Sequence, residues 1–341
     1  MPGYDYRSMT LPELEELLTK LGQPSYRAKQ LFSWLQKGAA SFDDMTNLPK
    51  DFRQVLSEKG YLANAEIEAR FESRLDETVK YLFRLHDGLL IESVLMSYHH
   101  GYSLCVSTQV GCRMGCSFCA STIDGLARSL TASEILAQIM SAQRDRGIRI
   151  SNVVLMGMGE PFDNYDNVVR FLELVGDPAG LNIGARHISL STCGRVDGIR
   201  RFQELGSQLT LSISLHAPND EIRSRIMPIN RKYGVDELLD ACRAYIEATG
   251  RRISCEYAMI RDVNDTDACA EELADRLRGM LCHVNLIPAN EVRENDYERS
   301  SDARLQRFKG LLEKRGLTVT IRRTLGGDIS ASCGQLRRSY K

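Results

Sequence analysis

The sequence predicts an α/β protein: an open, TIM-like partial barrel of six β/α units, preceded by a small helical module. Three observations lead there. From residue 103 onward, strand-like runs alternate with helical ones, the pattern of a parallel sheet with crossover helices. Six units are too few for the usual eight-fold closure, so the barrel is expected to stay open. Before residue 100 the pattern differs, with short helices first and a hairpin-like set of strands after them.

Taken in order, Thr10-x-x-Glu13 reads as a capping box, LPELEELLTKL as a helix and Gly22 as its stop. YRAKQLFSWLQK gives a second short helix, with Arg27, Lys29 and Lys37 on a basic side; a third follows Ser41 through LPKDFRQVL. EIEARFES, TVKYLFRL and LLIESVLM read as strands. The barrel strands are SLCVSTQ, NVVLMG, RHISLST, LTLSISLH, SCEYAMI and HVNLIP, each with a helical segment after it, and TVTIRR is the last strand. Thr131-x-x-Glu134 caps the first barrel helix. The expected divisions are a helical module over 1–60, a connecting strand segment over 61–100, the barrel over 101–325 and a C-terminal loop over 326–341. No internal repeat or low-complexity stretch is visible.

Composition narrows the function classes. The 341 residues are 43% hydrophobic and 26% charged, as in soluble globular proteins. No apolar run approaches the roughly 20 residues of a membrane span. The start, MPGYDYRSMT, lacks the basic and apolar regions of a secretory signal. A cytoplasmic protein is expected, and its ten cysteines then point to metal binding, catalysis or packing rather than disulfides. The net charge of −1 gives no global field for a nucleic acid. Local basic patches remain at Arg322 and Arg323 and at Arg337, Arg338 and Lys341.

Candidate functional residues fall at the carboxyl ends of the predicted strands, where barrels of this kind keep their chemistry. GCRMGCSFCA places Cys112, Cys116 and Cys119 within eight residues, after a strand and opening a helix. GMGEP, Ser191, Ser214, His216 and Asn290 follow on other strand ends. A structural zinc site takes four ligands, usually from paired knuckles, and no second pair is present. A [4Fe–4S] cluster held by three thiolates instead keeps one iron open for a small molecule. The amino and carboxylate groups of S-adenosyl-L-methionine suit that position, and the pair carries radical chemistry.

This arrangement resembles the radical S-adenosylmethionine (radical SAM) superfamily, whose core is a partial barrel. LCVSTQVGCRMGCSFCAS, GMGEPFDNYDNV, RHISLSTCG, SISLHAPND, HVNLIP and DISASCGQLR together resemble the RlmN family of RNA adenine-C2 methyltransferases. The resemblance spans nearly the whole chain and implies the following roles. Cys112, Cys116 and Cys119 hold the cluster. Gly159, Glu160, Ser191, Ser214, Leu215, His216 and Asn290 contact adenosylmethionine. Cys333 carries the methyl group as S-methylcysteine, and Cys105 attacks its sulfur, leaving a disulfide. Glu92 accepts the adenine C2 proton, with Cys105 a rival. The implied substrates are adenosine 2503 of 23S rRNA and, in some members, adenosine 37 of tRNA, with the amino-terminal module docking RNA. An electron donor of the flavodoxin or ferredoxin kind and a disulfide reductant complete the partners of a monomeric enzyme.

Read without the resemblance, Cys105 is buried filler on a core strand, Glu92 a solvated strand-end carboxylate, and Ser191, Ser214 and His216 satisfied polar groups. Cys333 sits in a small-residue stretch that suits a mobile thiol. Cys193, Cys242, Cys255, Cys269 and Cys282 are assigned to packing. Two other readings compete: a Cfr-like adenine-C8 methyltransferase, and a non-catalytic RNA-binding protein with a structural metal.

Overall fold

The computed structural model describes residues 3–290 and 296–337. A ten-stranded sheet forms its core. Strands Gly101–Cys105, Ile150–Leu155, Ile188–Thr192, Thr210–Ser214, Ile253–Met259, Cys282–Pro288 and Thr318–Ile321 run parallel, each beside the previous one. Helices Ala132–Arg146, Tyr165–Gly176, Val196–Gln203, Val235–Thr249, Asp267–Leu277 and Asp302–Lys314 link them. The six β/α units are those expected from the alternation.

Among the described residues the sheet does not close. Thr318–Ile321 is one edge; beyond Gly101–Cys105 the sheet continues antiparallel through Leu90–Tyr98, Val79–Arg84 and Glu66–Glu72. The strands read as a connecting segment therefore extend the barrel wall. A tight return makes this possible: Tyr98 pairs with Gly101, whose φ of +117° lies where side chains are disfavoured.

The incomplete barrel has a polar inner layer rather than the branched apolar one of closed barrels. Ser214, Glu256, Asn285 and Thr320 stand in one row across four strands. Asn285 Nδ2 donates to Glu256 Oε2 at 2.7 Å, and Thr320 Oγ1 donates to Asn285 Oδ1 at 3.1 Å. Polar side chains on this face leave room above them for a ligand.

At the amino terminus, helices Leu11–Lys20, Tyr26–Gln36 and Lys50–Lys59 pack together, and Tyr4–Asp5 pairs with Gly60–Tyr61 to bring the two ends of the module side by side. The Thr10–Glu13 capping box forms in both directions, and Gly22 follows the helix at φ +68°. The third helix starts at Lys50, not near Ser41. Pro49 has extended backbone at its cap position, and Ser41 caps only the short turn Phe42–Asp44. The module is fastened to the barrel by polar contacts. Ser133 donates to Asp5 Oδ2 at 2.5 Å, and Arg170 grips both Glu13 oxygens at 2.7 and 3.1 Å.

Arg7 is the module's buried keystone. It is 1% exposed, and its guanidinium donates to the carbonyls of Ala63 and Ala39 and to Asn64 Oδ1. Burial pulls its pKa down to about 10, so it stays charged at neutral pH. Replacing it with methionine keeps the stem but orphans two buried carbonyls. The Arg7→Met variant is expected to lose about 3 kcal/mol of stability, read as a lower urea midpoint.

Candidate active site

The strand ends are drawn together by two buried charged side chains. Glu160, 3% exposed, accepts from Thr192 Oγ1 and the Cys193 N–H, both at 2.7 Å, and from the Phe162 N–H at 3.1 Å. It thereby ties the GMGEP turn to the end of the next strand. Burial raises its pKa; those donors oppose the rise by favouring the carboxylate. Arg223, fully buried, donates to the carbonyls of Leu215, Cys193 and Ser214 at 3.0, 2.7 and 3.1 Å, and to Asn230 Oδ1 at 3.0 Å. It sits in a short helix, Asp220–Ile226, that the sequence pattern did not reveal.

The glycines of GMGEP face protein. A Cβ on Gly157 would stand 2.6 Å from the Val106 carbonyl oxygen, and one on Gly159, at φ +101°, 2.6 Å from Gln109 Cβ. Close approach to the loop at 106–109 is what these positions require.

Cys112, Cys116 and Cys119 line an open cleft whose wall also holds Gly159, Glu160, Ser191, Ser214, His216 and Asn290. Of the residues implied as cofactor contacts, only Leu215 is absent from the lining. Its side chain is buried and its N–H donates to the Glu256 carbonyl at 3.1 Å. The cysteine loop opens no α-helix, only a single 3-10 turn capped by Cys119. It runs into the short turn Ala120–Thr122 and a hairpin in which Leu126–Ser129 pairs with Gln109–Gly111. Glycine again explains the path: Gly111, at φ +78°, passes so close to the Gly125 carbonyl that no Cβ fits. Cys193, assigned to packing from sequence, also lines the cleft, beside Cys116 and Glu160.

The three thiols fit an iron–sulfur cluster: they come from one loop, line one cleft beside Gly159 and Glu160, and match the thiolate ligation such clusters take. Burial pushes the Cys112 thiol up to about 12 and raises Cys116 and Cys119 as well. A bound metal cation reverses such a shift and draws out the thiolates.

His216 has φ +57°, and its Nδ1 accepts from the Ala258 N–H at 2.9 Å. That bond assigns the proton to Nε2, which leaves a neutral donor on the cleft wall.

Cys333 is where two cavities meet. It lines the cleft, and it also lines a second cavity formed by Cys105, Val94, Met96, Tyr98 and Arg322. Asn290 Nδ2 donates to its carbonyl at 2.9 Å, and the Ala120 N–H donates to the Gly334 carbonyl at 2.7 Å. Ser121 Oγ donates to the Leu336 carbonyl at 2.8 Å. The Cys333 segment thus lies directly on the cysteine loop. Burial, and then the charge of Cys333, push the Cys105 thiol up to about 12.

Arg322 was read from sequence as a basic surface residue. It lines both cavities instead, and its Nη1 lies 3.7 Å from Met156 Sδ. Arg338 and Lys341 lie outside the described residues. Glu92 does not reach either cavity lining. It is 1% exposed; its Oε1 is 3.1 Å from Lys80 Nζ, and its Oε2 accepts from the Arg337 N–H at 2.6 Å.

Burial, then the nearby Arg223, lower the pKa of His216 from 6.5 to about 3. The folded chain therefore refuses a proton that the unfolded chain takes. The stability from this residue is complete above pH 6.5 and is lost as pH falls toward 3, at about 1.4 kcal/mol per unit. Denaturant midpoints of the metal-free protein are expected to drop over that window. The drop should be shallower in the His216→Gln variant.

Comparison with known proteins agrees with this geometry. The radical SAM superfamily model matches residues 106–277, and the ribosomal RNA large subunit methyltransferase N-terminal domain model matches residues 5–62. A probable dual-specificity RNA methyltransferase RlmN from Alkaliphilus oremlandii (strain OhILAs) is 54% identical over 340 residues, covering 100% of this chain and 99% of its own. Its counterpart from Clostridium novyi (strain NT) is 53% identical over 334 residues, 98% of this chain and 97% of its own. A solved radical SAM methyltransferase from Sphaerobacter thermophilus superposes with a TM-score of 0.94 at 47% identity, over 98% of this chain and 99% of that one. The chain belongs to the RlmN family of the radical SAM superfamily.

Proposed function

We propose that the chain methylates carbon 2 of an adenosine in 23S rRNA, and of an adenosine in tRNA, through a methyl group carried on Cys333. The observation that carries this reading is the position of Cys333 on the wall shared by the cofactor cleft and the cavity that holds Cys105.

The chemistry demands such a wall. Carbon 2 lies between two ring nitrogens, is electron-poor and cannot attack a sulfonium methyl. A carbon radical can add to it. When bound, the [4Fe–4S] cluster and adenosylmethionine supply an electron and a carbon-centred oxidant, which is the hard chemistry of such cofactors. The protein has to present a methyl group to the oxidant on one side and the activated carbon to adenine on the other. A cysteine open to both spaces meets that need.

Release from the enzyme falls to Cys105. Its sulfur attacks the Cys333 sulfur, a sulfur–sulfur bond forms, the carbon–sulfur electron pair passes to the methylene carbon on adenine, and a proton joins that carbon to complete the methyl group. An external dithiol then reduces the disulfide, and a flavodoxin- or ferredoxin-like donor supplies the electrons. Cys105 lines the substrate cavity and Glu92 does not, so we assign removal of the C2 proton to Cys105. The half-buried Arg322 guanidinium lines the same cavity and favours the Cys105 thiolate, against the larger opposing effect of burial. The adenine reaches this cavity only when unstacked from its neighbours. The amino-terminal module docks the RNA, and the enzyme acts as a cytoplasmic monomer.

The relatives' dual-specificity name supports two RNA substrates. Membership of this family speaks against the C8 reading, and a metal-bound binding protein without catalysis is no longer needed to explain the triad. Reconstitution with iron, sulfide, reductant, adenosylmethionine and an rRNA fragment is expected to give 2-methyladenosine on nucleoside analysis; 8-methyladenosine would reject the proposal. The Cys333→Ala variant should yield no methylated RNA. Cys105→Ala should stall with RNA covalently joined to the protein, visible as a shifted band that nuclease removes.

A further inference from the structure

Lys80 is a buried cation that the chemistry above does not use. It lies on the strand Val79–Arg84, and Glu92 lies on the neighbouring strand Leu90–Tyr98. Leu82 stands opposite Glu92 and Lys80 opposite Val94, so the ion pair is diagonal on one face of the sheet. Val94 in turn stands opposite Cys105. The pair is therefore built into the wall that carries Cys105. Lys80 is 4% exposed and Glu92 1% exposed; an ion pair so deeply desolvated is costly and is weak evidence for stability alone.

Its other contacts suggest a different use. Lys80 Nζ donates to the Ser330 carbonyl at 3.4 Å, and Glu92 Oε2 accepts from the Arg337 N–H at 2.6 Å. Those partners flank Cys333 on both sides in the chain. On the opposite side, Ala120 and Ser121 hold Gly334 and Leu336. The segment is thus gripped between the cysteine loop and the Lys80–Glu92 pair.

We propose that Lys80 and Glu92 are a positioning pair: they clasp the chain before and after Cys333 and set where its sulfur stands between the two cavities. The inference rests on the assignment of Cys333 as the methyl carrier. It gives Glu92 a mechanical task in place of proton transfer. Small displacements matter here, because an error of about 1 Å in a reacting group costs on the order of 100-fold in rate.

The test uses the full-length enzyme with its cluster reconstituted. Lys80→Met should retain iron and still cleave adenosylmethionine to 5′-deoxyadenosine without RNA. RNA methylation should fall about 100-fold, and amide exchange across residues 322–337 should quicken. Because Lys80→Met leaves a buried carboxylate without its cation, the double variant Lys80→Met/Glu92→Gln is measured beside it. The glutamine oxygen still accepts from Arg337 and no charge is stranded, so the double variant should fold, keep only the Arg337 half of the clasp and stay about tenfold below wild type, without RNA–protein adduct.

Two results would overturn the clasp. One is Lys80→Met with wild-type methylation and unchanged exchange. The other is a folded double variant that is inactive and accumulates the RNA–protein adduct, as loss of the proton acceptor would produce. Failure of the Cys333 assignment is seen separately, as methylated RNA from Cys333→Ala.

Discussion

The arrangement depends on a sheet that cannot close. Six β/α units end at Thr318–Ile321, and the far side of the sheet runs on through antiparallel strands to Glu66–Glu72. The chain after the last strand crosses the resulting mouth. It is fixed at Asp76 and at Ser73 and Arg74 through Asp328, before it reaches the cysteine loop. That crossing makes Cys333 a partition rather than a surface residue. A closed barrel would have filled the same space with layers of apolar side chains.

The rim is held by buried charges that face backbone. Glu160 collects donors from residues 162, 192 and 193, and Arg223 collects carbonyls from residues 193, 214 and 215. Burying either charge alone would be unfavourable. With every bond made, each gathers neighbouring strand ends at once. Such rigid support is what a radical site needs, since reactive carbon must meet its target without searching.

Much of this was legible in the sequence because it is locally encoded. Strand–helix alternation, the two capping boxes and the spacing of Cys112, Cys116 and Cys119 all lie within short windows. What stayed hidden is long-range. Arg223 sits on a helix of seven residues, too short for a periodic signal, and its partners come from other strands. Arg322 resembles any strand-end arginine until the crossing segment leaves it lining both cavities. Glu92 resembles a solvated carboxylate until Lys80 and Arg337 enclose it. The glycines of GMGEP pointed to a close approach, yet whether ligand or protein came near was not encoded locally. Cys193 showed the same limit, since packing and cleft-lining are one position in a chain that buries both.

The central claim is that the methyl carbon passes through Cys333 before it reaches RNA. A single-turnover experiment reads this directly. Enzyme carrying its cellular, unlabelled methyl group is mixed anaerobically with adenosylmethionine bearing a trideuterated methyl, and the first equivalent of product is collected. The account predicts that this first product carries the unlabelled protein-derived carbon, with label only in later turnovers. Deuterium in the methyl group of the first product, at the full abundance of the added cofactor, would contradict it.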